Sequence, residues 1–283
     1  MSFRIGIIGL GLMGASLASA LKGFRGAEIV GTDTDAAVCA KAVAAGVVTQ
    51  AYATAPQAVA GADLVVLCVY AHHIPALMAQ CREYFKAGAV VSDICGVKSE
   101  LYAALLPQLP PQIDYVGIHP MAGKERDGFD NADPAIYRGS GFIVCPLPGT
   151  QPGSIALVQE LALHIGVNSA RMAVAPYDKH DAIIAYTSDL MHIAATALCM
   201  DYHPDMSSAF TAGAFRDCTR IADINAPAWT ELLMSNRDHV GAALDSYIAA
   251  LVYIRQALAQ QDSAGLCALL ARGGENKRGM LQK

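Results

Sequence analysis

The chain has 283 residues, 54% of them apolar, and a formal net charge of −5. That length fits two domains or one large one, and the apolar fraction can fill a sizeable core. The mildly acidic balance, with no basic patch to neutralise phosphates, argues against nucleic acid as a partner.

Eight cysteines, at positions 39, 68, 81, 95, 145, 199, 218 and 267, sit among mostly apolar neighbours and form no Cys-x-x-Cys pair. They read as small hydrophobes of a reduced compartment, not as a disulfide framework or a metal site. Ser2-Phe3-Arg4 leads straight into an apolar run punctuated by glycines, which is unlike a signal peptide. The apolar stretch 182–200 carries Asp189 and His192, and reads as a buried helix, not a membrane span. A soluble cytoplasmic protein is expected.

In chain order, a strand over 4–9 is followed by a helix from Gly14 to about Leu21 and a strand over 28–33. A helix over 35–45 precedes an apolar run at 62–69, long enough for a buried parallel strand. A helix over 73–85, a strand over 88–93, a helix over 98–106 and a strand over 114–118 continue the alternation. Further strands at 141–145 and 167–174 flank a helix at about 153–165. Strands alternating with helices at this spacing predict a doubly wound parallel sheet of Rossmann type. After Pro176 the pattern is helical, at about 177–201, 205–222, 227–260 and 262–272. The expected division is 1–173 as a dinucleotide-binding domain and 174–283 as a helical domain. The alanines of the second half allow close helix approach, either between subunits or within one.

Gly9-Leu10-Gly11-Leu12-Met13-Gly14 is a G-x-G-x-x-G element between a strand and a helix. Its first glycine allows the tight turn, the second a close approach of backbone to pyrophosphate, and the third close helix–strand packing. Asp33 ends the second strand, where a carboxylate accepts hydrogen bonds from the adenosine ribose. A 2′-phosphate there meets like-charge repulsion, so NAD is expected over NADP. Val69 and Tyr70, ending the 62–69 run, and Asp93, ending the next strand, belong to the same rim.

Chemistry is expected at His119, in the segment Gly117-Ile118-His119-Pro120-Met121-Ala122-Gly123-Lys124-Glu125. An imidazole of pKa about 6.5 takes up protons near neutrality, and the carboxyl ends of the strands carry ligands in open α/β sheets. The alternative is a histidine capping a strand end. Lys98 either contacts substrate or cofactor or is a solvated residue of the first helical turn, and Asp93 orients a loop or the nicotinamide end. In the helical half, Ser188 and His192 share a helix face at i and i+4, after the pair His180-Asp181. Arg216 and Arg220, again at i and i+4, offer guanidinium groups to a carboxylate, or pair with Asp217, Asp223 or Glu125.

Taken together, these segments resemble the prephenate/arogenate dehydrogenase family of tyrosine biosynthesis over nearly the whole chain. The resemblance rests on the glycine turn, Asp33, the Asp93…Val97-Lys98 turn and the His119-to-Glu125 segment. The His180-Asp181…Ser188…His192 helix and the Phe215-to-Ala222 stretch, with Trp229 beyond, complete it. It implies NAD-linked oxidative decarboxylation, with His119 as base for the substrate's C4 hydroxyl and His192 bonding the substrate. It implies that Arg220 pairs a substrate carboxylate, and places Gly96, Lys98, Lys124, Glu125, Ser188, Asp189 and Arg216 around the substrate. It further implies a homodimer through a helical domain like the C-terminal domain of 6-phosphogluconate dehydrogenase, with no fused mutase or regulatory segment.

Two departures stand out. Gly96 replaces the serine of the family's Asp-x-x-Ser-Val-Lys pattern, and Asp189 stands where the family's Ser-His-x-Pro-His pattern has histidine. If Asp189 faces the pocket, its carboxylate repels a pyruvyl carboxylate and favours the ammonium of arogenate. Other readings are a lysine-dependent hydroxyacid dehydrogenase, although no lysine occurs between Lys179 and Lys277, and a non-catalytic NAD-binding protein.

Overall fold

The computed structural model describes residues 2–124, 126–200 and 209–280. The first half alternates strands and helices: β1 (Arg4–Ile8), α1 (Leu12–Ala20), β2 (Glu28–Thr32), α2 (Ala36–Ala44), β3 (Gln50–Tyr52), α3 (Ala55–Val59) and β4 (Leu64–Leu67). It continues with α4 (Ile74–Cys81), β5 (Val90–Asp93), α5 (Ser99–Leu105), β6 (Asp114–Met121), β7 (Gly141–Pro146), α6 (Pro152–His164) and β8 (Met172–Val174). The sheet order is β3-β2-β1-β4-β5-β6-β7-β8. It is parallel from β3 to β6, but β7 runs antiparallel to β6 and β8 parallel to β7. The expectation of a wholly parallel sheet is corrected at this edge.

The apolar run of β4 is explained by burial on both faces. Leu64 and Val66 pack into one core cluster with Ile5, Ile7, Val116 and Leu161, while Val65 and Leu67 join Ile8, Val91 and Tyr102 on the other side. The short β3 and α3 were absent from the sequence reading, because three to five residues are too few to show a period. β6 runs to Met121, so His119 lies inside a strand and not after one. Proline is tolerated there because β5 pairs with β6 only through Tyr115, leaving one side of the strand open beside Pro120.

From Tyr177 on, every described element is helical: α7 (Tyr177–Ile184), α8 (Leu190–Met200), α9 (Gly213–Thr219), α10 (Ala226–Ser235), α11 (Arg237–Ala259) and α12 (Ser263–Met280). A π-helical turn, Ala185–Asp189, joins α7 to α8 into one 24-residue rod that is apolar and long enough to cross a membrane. Only 28% of its apolar window is buried within the chain, short of the buried helix expected. The single helix expected over 227–260 breaks at Asn236, whose φ of −116° is not helical. Its side chain is drawn into the core by the Asp181 carbonyl and the Asp189 carboxyl. The helix expected over 205–222 begins partly outside the described residues, and within them starts at Gly213 and tightens to a 3₁₀ turn at Arg220–Ala222.

Candidate functional site

A cleft of about 540 Å³ opens along the carboxyl ends of β1, β2, β4 and β5, with α10 as its far wall. At one end the turn after β1 is shaped by its glycines. Gly9 has φ +92°, and a Cβ there would run into the Cys68 carbonyl; a Cβ on Gly14 would strike the carbonyl of Gly9. Around Gly11 nothing lies within 4 Å of an added Cβ, and α1 has no side-chain cap. The turn is therefore an open cradle with free amides, which fits a pyrophosphate. Leu12 and Met13 line it, whereas Leu10 is buried and offers its N–H to Asp33 at 2.7 Å. The other Asp33 oxygen accepts from Asp35 N at 3.0 Å, so the carboxylate is held at the cleft edge, where a ribose hydroxyl would sit. Val69 and Tyr70 line the middle of the cleft.

At the other end, Gly96 lines the cleft and faces His119, whose Nε2 lies 3.7 Å from the position of a Cβ on that glycine. His119 Nδ1 is 2.9 Å from His180 Nε2, and His180 Nδ1 is 2.7 Å from Asp181 Oδ1. Asp181 also accepts from the amides of Lys98 and Ser99 at the start of α5, which locks α7 onto the α/β half. Burial raises the Asp181 carboxyl, but the bonds from His180 and Ser99 outweigh it and bring it below its usual range. An ionised Asp181 accepts a hydrogen bond from His180 Nδ1–H, which leaves His180 Nε2 to accept from His119 Nδ1–H. The lone pair of His119 Nε2 is left towards the cleft. Burial holds the His119 pKa well below 6.5, helped by the charge of Lys98 and opposed by that of Asp181.

Lys98 is not where the sequence placed it, whereas Asp93 takes the first of its two expected roles and orients a loop. Both side chains are fully buried, and they pair with each other. Asp93 also accepts from Tyr115 Oη at 3.0 Å and Cys95 N at 2.9 Å, while Lys98 Nζ reaches the Ile118 carbonyl at 2.8 Å. The pair thus props the Ile94–Val97 turn from below and does not line the cleft. Burial is affordable because each charge is met by its opposite and by further hydrogen bonds.

In the helical half, His180 and His192 stand about 120° apart around an ideal α-helix. The π turn inserts one residue between them and brings the two back within about 20°. His192 Nδ1 donates to the Ser188 carbonyl at 3.0 Å, and its ring lies 3.8 Å from that of Trp229. Burial lowers the His192 pKa, the Ser188 carbonyl opposes this, and the charge of Arg220 adds to the lowering, so Arg220 and His192 are neighbours. Ser188 is half-buried and Arg216 is exposed one turn before Arg220. Lys124 is on the surface, tied to Asp133 at 3.0 Å, and Glu125 lies outside the described residues. Asp189 is buried and bound to Asn236 at 3.0 Å. It does not line the cleft, so the case for arogenate built on its facing the pocket falls. Among the described residues, no cluster of three or more His, Cys, Asp or Glu side chains could hold a metal ion.

Two family models match: the prephenate dehydrogenase nucleotide-binding domain over residues 17–171 and the prephenate dehydrogenase dimerization domain over 176–272. The chain belongs to the prephenate dehydrogenase family. It is similar to the cyclohexadienyl dehydrogenase of Zymomonas mobilis, at 31% identity over 92% of this chain and 89% of that one. Similarity to the prephenate dehydrogenase of Bacillus subtilis is 27%, over 94% of this chain and 73% of that protein. Among solved structures, prephenate dehydrogenase from A. aeolicus, in complex with hydroxyphenyl propionate and NAD+, shares the fold. Its TM-score is 0.86 at 23% identity, with 99% of each chain covered.

Against that family background, what the sequence reading missed is the partnership of His180 and Asp181 with His119. The two stood out as polar groups in an apolar helix, but nothing local pointed to a partner on β6. The contribution of α10 also went unread: Ala228, Glu231, Leu232 and Ser235 line the cleft, and Leu232 Cδ1 lies 3.1 Å from a Cβ built on Gly96.

Proposed function

We propose that His119 is the general base of an NAD-dependent prephenate/arogenate dehydrogenase. The single observation that carries this is the hydrogen-bonded chain Asp181–His180–His119, which ends on Nε2 beside Gly96 of the cleft. A lowered pKa keeps the imidazole neutral at pH 7 and able to accept. NAD+, held by Asp33 and the glycine turn, would supply the hydride acceptor for the carbinol carbon. As the C4 hydroxyl proton moves to Nε2, the hydroxyl oxygen becomes a carbonyl oxygen. The ring then sheds its C1 carboxylate as CO2, and the electron pair left behind aromatises it to a phenol. Positive charge arising on His119 is offset through His180 by Asp181, in the way a buried aspartate supports a histidine base.

Arg220, next to His192, is the guanidinium placed to pair a substrate carboxylate, with His192 offering Nε2 beside it. A lysine base is disfavoured, since Lys98 is spent on Asp93 and no lysine lines the cleft. The helical half supports a homodimer: Ile248, Leu251, Tyr253, Leu258 and Leu270 are exposed along α11 and α12. The eight free cysteines suit a reducing compartment such as the cytoplasm. Incubating the protein with NAD+ and either prephenate or arogenate tests the reading. NADH and CO2 formed together from at least one of them supports it; clean NAD binding with turnover of neither refutes it.

A further inference from the structure

We infer that Glu231 is a cofactor-binding residue, delivered by the helical half, whose carboxylate accepts hydrogen bonds from the hydroxyls of the nicotinamide-side ribose. The inference rests on NAD as cofactor and on the direction in which it lies. Asp33 marks the adenosine ribose, Gly11 the pyrophosphate, and His119 Nε2, beyond Gly96, the carbon that gives up hydride. A dinucleotide spanning those points must set its second ribose between the glycine turn and Gly96. That stretch of the cleft is lined by the residues after β4, Val69 to Ala71 and His73, and, across from them, by Glu231 of α10.

Glu231 is held ready for a ligand. Its Oε1 accepts from His72 Nδ1 at 2.6 Å and from His72 N at 3.3 Å, so the carboxylate is anchored to the α/β half. Its Oε2 accepts no hydrogen bond among the described residues. Asn225, capping α10, donates to Asp127 Oδ2 at 2.6 Å, so the helix is also pinned at its start. Ribose hydroxyls are donors in need of acceptors, and a fixed carboxylate with lone pairs to share is the kind of acceptor that Asp33 offers at the other ribose. Each ribose thus receives one carboxylate, one from each half of the chain.

Calorimetric titration of the wild type, Glu231→Gln and His72→Ala with AMP, ADP-ribose and NAD+ tests this. AMP carries only the adenosine ribose, whereas ADP-ribose carries both. For Glu231→Gln, ADP-ribose and NAD+ should bind about ten- to a hundredfold more weakly, the worth of a charge-assisted hydrogen bond, with AMP unchanged. His72→Ala, which frees the carboxylate without removing it, should give a smaller loss confined to the same two ligands. Equal weakening of AMP and ADP-ribose, or no change in either, overturns the assignment. A wild type that binds neither AMP nor NAD+ overturns the cofactor reading itself.

Discussion

At the nucleotide end of the cleft, the ligand meets mainly backbone: the turn of Gly9 and Gly11, the open amides of α1, and one carboxylate, Asp33, fixed by amides of its own neighbourhood. At the proposed proton-transfer end the groups are side chains that come from both halves: His119 from β6, backed by the buried His180 and Asp181 of α7, and His192 from α8. The first end is a local structure, complete within some thirty residues of a βαβ unit. The second exists only when the helical half is docked. The difference implies that damage at one end should leave the other largely intact, and that pH should act almost wholly on the proton-transfer end.

His119→Asn is the sharpest way to break that separation. Turnover should fall by about 10² to 10⁴, while NAD+ binding measured by titration stays at the wild-type value. A matching loss of NAD+ affinity would show the two ends to be one. Asp181→Asn should follow with a loss of about ten- to a hundredfold in kcat, because His180 loses the acceptor that sets its tautomer. Asp181 raises the His119 pKa against the stronger pull of burial, so the acid limb of kcat/KM should move to lower pH in the variant. An acid limb that stays in place would remove Asp181 from the relay. The variant also strips acceptors from the Lys98 and Ser99 amides, so its melting temperature should drop as well. At the other end, Asp33→Ser should cut the preference for NAD+ over NADP+ by about tenfold, with kcat at saturating NAD+ little changed. Unaltered cofactor selectivity would refute the role given to Asp33.

The same contrast explains what could be read in advance. The glycine turn, Asp33 and the strand–helix alternation follow from periods and spacings within short windows, and the structure has them close to the predicted bounds. The pairing of Lys98 with Asp93 went unread because the sequence shows a charge without showing its burial. Only the packing of α7 and β6 over α5 decides that the two meet each other and not solvent. His180 carried a signal, a histidine beside an aspartate in an apolar helix, but its partner is sixty-one positions away on a strand. The π turn left no trace in the hydrophobic pattern, and a straight helix would have pointed His192 elsewhere. Asn236 interrupts an otherwise continuous helical pattern because the groups that recruit it, the Asp181 carbonyl and the Asp189 carboxyl, are distant in sequence.

Asp189 gives the smallest effect and one of opposite sign. Burial pushes its carboxyl up to about 6, above the value near 3.9 of an unfolded chain, with Asn236 opposing and Asp181 adding to the rise. The native state therefore binds the proton more tightly than the unfolded one. Its contribution to stability is complete below about pH 4 and is lost as pH rises through 6. At neutral pH the ionised, buried group costs on the order of 3 kcal/mol. Asp189→Asn keeps an oxygen to accept from Asn236 and removes the charge. The variant should melt higher than the wild type at pH 8, and the gap should close as pH falls from 6 to 4. Since Asp189 does not face the cleft, the ratio of arogenate to prephenate turnover should be the same in variant and wild type. A changed ratio would put this carboxylate back among the groups that choose the substrate; a gap constant with pH would show that its pKa is the same in the native and the unfolded state.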